Sequence, residues 1–276
     1  MYRKSDTFQN GEICHVAQSE QVFVNGPQLE DLDVETFVFI DLETTCLAPR
    51  KDKIAEICMV AIHRDQCTPY LVGDSNIDVP RIADRLRLAV DPTCNINPMS
   101  ARLNKLTRSK LLKRNKQLIT EETLLLLTDF LDRQSQPICL VAYSHNEFDF
   151  NFLRACIESF KMERNFDRYF SAQALVAVRQ LGKASGKIGS YSLPSAYANF
   201  TNKSYIQGVH SAEGDVDAMI EVLRCVNEPH SALKQLEVIK KWFMKNEKIK
   251  RKSKTPRKRK SERHDPKLVK VIILYE

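Results

Sequence analysis

Hydrophobic and polar positions follow two periodicities along this chain, and together they predict a domain with both strands and helices. Short apolar segments rich in β-branched and aromatic residues are typical of strands. Such segments span residues 36–41, 54–64, 85–90 and 138–143, with a weaker fifth candidate at 168–170. The segment 54–64 is apolar almost throughout, which indicates a central strand, whereas 85–90 alternates and indicates a strand with one exposed face.

Helical periodicity appears between and after these strands. Thr120, followed by two glutamates, is a typical helix start, and the leucines that follow share one face. Aromatic and apolar residues also recur every fourth position from Phe148 to Phe160. Further helices are predicted at 171–181, 192–199, from Ser211 onwards and at 230–246. This order predicts an α/β fold with a mixed five-stranded sheet flanked by helices.

Composition and charge divide the 276 residues into three predicted parts. Residues 1–33 are polar without sustained periodicity and predict a poorly ordered extension, and residues 34–246 predict a folded domain. Residues 247–276 form a basic tail, in which the run 248–263 holds ten Lys/Arg residues against one Glu. Such a run indicates nuclear localisation or nucleic-acid binding, with an unstructured solubilising tail as the alternative. The expected location is therefore the nucleus, the cytoplasm or both.

Two other properties exclude classes of protein. Every apolar run is far shorter than the roughly 20 residues of a membrane span, and the first residues lack the apolar core of a secretory signal. No membrane partner is therefore expected. The eight cysteines include no C-x-x-C pair, and several lie in apolar runs, so we expect them to be reduced and mostly buried.

Carboxylates follow the predicted strands in a suggestive order. Asp41 and Glu43 lie two residues apart, so an extended backbone points both side chains to the same face. Asp149 lies in the first turn of the helix after the strand 138–143, and ligand sites of open α/β sheets gather at the carboxyl ends of strands. His210 precedes the helix from Ser211, and Asp215 lies in its first turn. Each acid alone is more typical of a cap or a surface position, but their joint occurrence predicts one cleft.

Four carboxylates in one cleft repel each other unless a cation lies among them. Mg²⁺ and Mn²⁺ prefer oxygen ligands, and paired ions about 3.5–4 Å apart are usual in nucleases. We therefore expect two Mg²⁺ ions, which Mn²⁺ can replace. An imidazole has a free pKa near ~6.5, which suits His210 to take the proton from an attacking water.

The segments FIDLETT, FDF and HSAEGDVDA resemble the three exonuclease motifs of the DEDDh superfamily, and more closely the animal three-prime repair exonuclease (TREX) family. The similarity extends in order and spacing over about residues 35–230. It implies a ribonuclease H-like fold and metal-dependent removal of 3′-terminal nucleotides from DNA. Because the terminal linkage must reach the metals unpaired, single-stranded or frayed 3′ ends are the expected substrates, and nucleoside monophosphates are the expected products. On the matching positions, His210 is the catalytic base and the metal ligands are Asp41, Glu43, Asp149 and Asp215.

The resemblance also implies contacts with substrate and with a second copy. Leu47 and Leu103 match positions that pack against the terminal bases, although core packing is the alternative for both, and Phe148 is a further expected substrate contact. Lys183 and Lys187 match a basic loop that follows phosphates; a solvated flexible loop explains them equally well. The strand at 85–90 matches the edge through which family members pair, so a homodimer is expected.

Several residues depart from the family pattern at positions near the motifs. Cys46 replaces a glycine, Glu147 stands where a basic residue is common, Gln173 replaces an aspartate, and Ser144 or a displaced His145–Asn146 replaces an asparagine. These changes concern a turn and the nucleotide contacts, not the metal ligands. Two alternative functions are an exoribonuclease, which needs contacts with the 2′-OH, and a nucleic-acid-binding module without catalysis. All five catalytic positions are occupied, which argues against the second.

Overall fold

The computed structural model describes residues 34–67, 83–144, 146–184, 186, 189–205, 210–225 and 240–241. The predicted extension at 1–33 and the basic tail at 247–276 lie outside the described residues. The strands are β1 (Thr36–Thr44), β2 (Ile54–His63), β3 (Ala83–Ala89), β4 (Ile138–Ala142), β5 (Phe170–Gln173) and β6 (Lys240–Lys241). The helices are α1 (Pro98–Asn104), α2 (Arg108–Lys113), α3 (Glu121–Asp132), α4 (Phe148–Ser159), α5 (Glu163–Phe166), α6 (Ala174–Ala184), α7 (Leu193–Thr201) and α8 (Ala212–Cys225).

The strands form one mixed sheet in the order β3-β2-β1-β4-β5-β6. Strand β1 runs antiparallel to β2 and parallel to β4, which is parallel to β5. The carboxyl ends of β1, β4 and β5 therefore lie at the same edge of the sheet. The predicted mixed sheet of five strands flanked by helices is confirmed, and the two-residue β6 extends it antiparallel to β5.

Both faces of the sheet are covered, because alternate residues of β1 enter two different cores. Phe37 and Phe39 join one core with the apolar face of α8, including Val216 and Met219. Val38, Ile40 and Leu42 join the other with residues of α3 and α4. Strand β2 is buried at every position except His63, which explains why its sequence is apolar almost throughout.

Strand β3 has the predicted alternation. Leu86 and Leu88 pack against the core shared with α3 and α4, and Arg85 and Arg87 lie on the exposed face. Both arginines form ion pairs with acidic residues of α8. The polar face of this strand is therefore fixed to a helix by charge and not simply solvated.

The element boundaries differ from the predictions in three places. Strand β5 runs from Phe170 to Gln173, so the helix predicted from residue 171 begins at Ala174. Helices α1 and α2 were not predicted, since seven and six residues are too few for a periodicity to emerge. The helix predicted at 230–246 is wrong at Lys240–Lys241, which form β6, and the rest of it lies outside the described residues.

Two smaller expectations concern cysteines and membranes. All seven cysteines in the described part of the chain are free, but only Cys58, Cys67 and Cys139 are buried, so the expectation that most cysteines are buried is wrong for these residues. Within the described ranges, none of the helices combines the length and the apolar character required to cross a bilayer.

Candidate metal centre and active site

Four acids, named the acidic site from here on, meet at the carboxyl end of β1: Asp41, Glu43, Asp149 and Asp215. Asp41, Glu43 and Asp215 each bring one carboxylate oxygen within 4.8 Å of the other two. Asp41 and Glu43 share a face of β1, as their spacing predicts, and α8 contributes Asp215 from its first turn. The apolar face of α8 packs on β1 and holds that turn at the site.

Asp149 lies beside these three acids at the same edge of the sheet. It is the second residue of α4, which follows β4, the parallel neighbour of β1. Its side chain is buried, and Oδ1 accepts a hydrogen bond from the backbone N–H of Leu42 at 3.2 Å. Asp149 is thus fixed to the residue between Asp41 and Glu43, and the predicted convergence of all four carboxyl groups is observed.

Burial dominates the electrostatics of the acidic site. Desolvation, followed by the charges of Asp149 and Asp215, raises the pKa of Asp41 well above its usual value. Burial also raises the pKa of Glu43 to about 7 and that of Asp149 to about 6. The nearby Ser144 hydroxyl lowers the pKa of Asp149 and so opposes the effect of burial, although the two groups do not meet the geometry of a hydrogen bond. Crowded, desolvated carboxylates of this kind are stabilised by a cation among them.

The donor set fits a hard divalent cation. All four side chains of the acidic site are carboxylates, and Mg²⁺ and Mn²⁺ prefer oxygen ligands. The 4.8 Å separation leaves the three closest oxygens near enough to share one ion. The expected divalent-metal site is therefore supported by the chemistry of the residues present, without fixing the kind or number of ions.

His210 lies beside Asp215, immediately before α8. Burial raises the pKa of Asp215, and the hydroxyl of Tyr205 and the backbone hydrogen bond with His210 oppose this rise. His210 adopts a left-handed backbone with φ 59°, a conformation that is uncommon outside glycine but enriched in histidine. Such backbone conformations cluster at functional sites, where the surrounding structure holds them.

Three further residues lie at or next to the acidic site and were missed by the sequence analysis. Asn104, at the end of α1, is buried and donates from Nδ2 to Glu43 Oε2 at 3.1 Å. Tyr205 donates its hydroxyl to Asp215 Oδ1. Glu56 lies opposite Glu43 in the register of β1 and β2 and is 2% exposed. An acid inside an otherwise apolar strand was a visible signal for Glu56; Asn104 and Tyr205 gave none.

Glu56 is stabilised from two directions. Its Oε2 accepts the backbone N–H of Ala212, the first residue of α8, at 3.2 Å. Its Oε1 accepts the Nε–H of Arg87 at 2.7 Å, and the same guanidinium binds Glu213 at 2.7 Å. Glu56 therefore links β2, β3 and α8 next to the acidic site.

The predicted substrate positions are mostly exposed. Leu47 and Leu103 are 66% and 46% exposed, so the core-packing alternative is wrong for both. Helix α1, which carries Leu103, is fixed to the site by the bond from Asn104 to Glu43. Phe148 opens α4 and lies partly buried, 4.8 Å from the ring of Phe152. Lys183 is exposed near the end of α6, and Lys187 lies outside the described residues.

The departures from the family pattern have local consequences. Cys46 does not adopt a positive φ, so this turn does not need the glycine. Asn146 and Glu147 are both left-handed, with φ 53° and 57°, and Glu147 lies 3.9 Å from Arg154. Gln173 ends β5 with both polar atoms of its amide buried and without a hydrogen bond. His145 lies outside the described residues.

The fold and a carboxylate cluster that could hold a metal ion are typical of nucleases, and comparison with known sequences makes the assignment specific. The exonuclease family (RNase_T) matches residues 38–223. Three-prime repair exonuclease 1 of Bos taurus is 31% identical over 219 residues, covering 76% of this chain and 69% of the relative. Three prime repair exonuclease 2 of Mus musculus is 32% identical over 195 residues, covering 67% and 81% respectively. The chain belongs to this exonuclease family.

Solved structures support the fold independently. The zinc-bound E. coli ExoI–ssDNA complex superposes with a TM-score of 0.51 at 18% identity, over 70% of this chain. A full-length 3′-exonuclease superposes with a TM-score of 0.52 at 13% identity, over 69% of this chain and 60% of that one. The match spans only 40% of the ExoI chain. The predicted ribonuclease H-like fold is confirmed, as are the resemblance to the three-prime repair exonucleases and the enzyme class, a 3′→5′ exonuclease.

Proposed function

We propose that the protein is a divalent-metal-dependent exonuclease that removes nucleotides from the 3′ ends of DNA and releases them as monophosphates. The observation that carries this proposal is the convergence of four carboxyl groups, from β1, α4 and α8, on one edge of the sheet. The curated relatives support it, because they are three-prime repair exonucleases. Single-stranded or frayed ends are the proposed substrates, since the terminal linkage must reach the acidic site unpaired.

The residues of the site divide the work of phosphodiester hydrolysis. The acidic site would hold two Mg²⁺ ions, which, when bound, offset the negative charge that develops at phosphorus and lower the pKa of water. His210 accepts the proton of the attacking water. The water oxygen joins phosphorus, and the bond from phosphorus to the 3′ oxygen of the preceding nucleotide breaks. That oxygen takes a proton from a solvent water and becomes the new 3′ hydroxyl, while His210 returns the proton it accepted to solvent.

Exposed apolar side chains would hold the terminal nucleotide in place. Leu47 and Leu103 present their side chains to solvent, which suits them to pack against unpaired bases. Because Asn104 binds Glu43, the position of Leu103 is coupled to the acidic site. Phe148 would contribute at the start of α4, and Lys183 would attract the phosphate backbone.

A second copy of the chain is the proposed protein partner. Strand β3 is the terminal strand of the described sheet, so its outer edge can pair with another strand. Pairing of two β3 strands would continue the sheet across a homodimer without using the carboxyl edge of β1.

Degradation of end-labelled oligonucleotides tests the function. Single-stranded DNA and RNA of one sequence, labelled at the 5′ end, are incubated with the protein and Mg²⁺ or EDTA. We expect DNA to shorten progressively from its 3′ end, and EDTA to stop the reaction. Asp149→Ala and His210→Ala are each expected to lower the rate at least ~100-fold, since each removes a group used in the chemistry.

The control is Asp52→Ala, because in the described part of the chain the Asp52 side chain accepts a hydrogen bond from the backbone N–H of Ala48, within the loop after β1, and from no residue of the acidic site. It is expected to cut at the wild-type rate. Degradation by Asp149→Ala at the wild-type rate would disprove the assigned site. Faster degradation of RNA than of DNA would identify the protein as an exoribonuclease instead. Tight DNA binding without any metal-dependent cutting would instead favour a binding module.

A further inference from the structure

Tyr205 lies between α7 and α8 and contacts the acidic site from outside the three sequence motifs. Its hydroxyl donates a hydrogen bond to Asp215 Oδ1. Asp215 is one of the three acids whose oxygens lie within 4.8 Å of one another. A hydroxyl bound to this carboxylate restricts the rotation that would turn it away from Asp41 and Glu43.

The position of Tyr205 is itself stabilised by neighbouring elements. Its ring packs against Tyr197 of α7, with centroids 5.1 Å apart and planes inclined at 45°. Tyr197 in turn donates its hydroxyl to Glu221 Oε2 of α8 at 2.7 Å. Lys203 binds the other oxygen of Glu221 at 2.9 Å. The tyrosine therefore approaches Asp215 from a packed support that joins α7 to α8.

We propose that Tyr205 is a positioning residue, which holds the Asp215 carboxylate in the orientation that a divalent cation requires. This inference rests on the proposed function, since it concerns a ligand of the same metal site. Hydrogen bonds to metal ligands orient them before binding, and losing one typically weakens metal affinity 10–100-fold. Tyr205 contacts Asp215 and does not need to touch the substrate.

The test compares Mn²⁺ binding by the wild type and Tyr205→Phe, measured by titration calorimetry on the full chain. The phenyl ring keeps the packing against Tyr197, so the variant is expected to fold. We expect the dissociation constant for Mn²⁺ to rise about tenfold. The metal concentration that half-activates DNA degradation should rise in parallel, while the rate at saturating metal changes less.

Tyr169→Phe is the matched control. Tyr169 is buried and donates its hydroxyl to the Asp132 carboxylate at 2.6 Å, so the same chemical change breaks a tyrosine–aspartate bond outside the acidic site. This variant is expected to lose stability and keep wild-type Mn²⁺ affinity. A parallel loss of affinity in Tyr169→Phe would reveal a general effect of reduced stability and overturn the proposal.

Other outcomes separate the inference from the proposed function. Unchanged affinity in Tyr205→Phe would remove the positioning role, and tighter binding would show that the hydroxyl competes with the cation. A wild type that binds Mn²⁺ but does not cut DNA would disprove the proposed function and leave the positioning role testable, because the Mn²⁺ affinities of the wild type and Tyr205→Phe can still be compared. A wild type that binds no Mn²⁺ would sink both.

Discussion

Two opposing effects act on the ionised carboxylate of Glu43. Asn104 stabilises its carboxylate through a hydrogen bond, yet desolvation by the surrounding chain is the larger effect. Because the pKa of the folded state is raised, the metal-free folded protein keeps a proton that the unfolded chain releases. The folded state is therefore penalised wherever the unfolded carboxyl is ionised.

This imbalance predicts how stability depends on pH. In EDTA, the free energy of unfolding should fall as pH rises through the window between 4.5 and about 7, the usual and the raised pKa of Glu43. The loss from this group is roughly 3 kcal/mol at most. Urea denaturation at a series of pH values measures it, and Glu43→Gln should flatten the slope. Stability that is constant or rises across this window would contradict the assigned burial.

The residues of the site were predictable to different degrees. Asp41, Glu43, Asp149, His210 and Asp215 stand in recognisable segments whose spacing follows the strands and helices that carry them. Asn104 and Tyr205 could not be found in this way, because hydrogen-bonding side chains show no periodicity along the sequence. The acids that they bind are 61 and 10 residues away. Lys183 and Leu47 were singled out by resemblance, and their roles stay predictions.

At the scale of elements, β3 and α8 are joined by two arginines with different surroundings. Arg87 binds Glu56, whose side chain is 3% exposed, whereas Arg85 binds Asp217, whose side chain is 41% exposed. A buried carboxylate that loses its cation costs far more than an exposed one, because water cannot replace the partner. Arg87 therefore matters more for the packing of β2, β3 and α8.

Replacing each arginine by methionine tests this difference. Arg87→Met should lower the free energy of unfolding by about 1–3 kcal/mol, since Glu56 stays buried and, among the described residues, keeps the N–H of Ala212 as its one donor. Arg85→Met, the control, should cost less than about 1 kcal/mol, because its two partners, Glu213 and Asp217, both stay accessible to water. Chemical denaturation measures both. Equal losses in the two variants would show that burial of Glu56 does not set the cost.

The elements themselves were predicted well where the pattern was long. Strand β2 and helices α3, α4 and α8 follow sustained apolar runs or periodicities, and each was recognised. The side chain of Asn97 caps the start of helix α1, and Pro98 lies in its first turn. Both residue types are also common in turns, so the sequence does not distinguish this helix start from a turn. Strand β6 has two residues and is defined by its pairing with β5, so its own sequence has no pattern that predicts a strand.

For the whole molecule, the edge position of β3 predicts association through this strand. Sedimentation equilibrium should give a mass of about twice 31.7 kDa at high concentration. Backbone amides of β3 should exchange with solvent more slowly in the dimer, because outward-facing N–H groups become paired. A monomer at every concentration would disprove the dimer. A dimer whose β3 amides exchange as in the monomer would place the interface elsewhere.

The central claim is that the four crowded carboxylates of the acidic site, of which Asp149 is buried and the other three are partly buried, hold divalent cations. Direct counting of bound Mn²⁺ tests it. Titration calorimetry on the wild type should give two Mn²⁺ ions per chain. Asp41→Asn removes a charge without changing the shape of the side chain, and it should fold normally while losing most of this binding. A folded wild type that binds no Mn²⁺, or an Asp41→Asn variant that binds as the wild type does, would contradict the account.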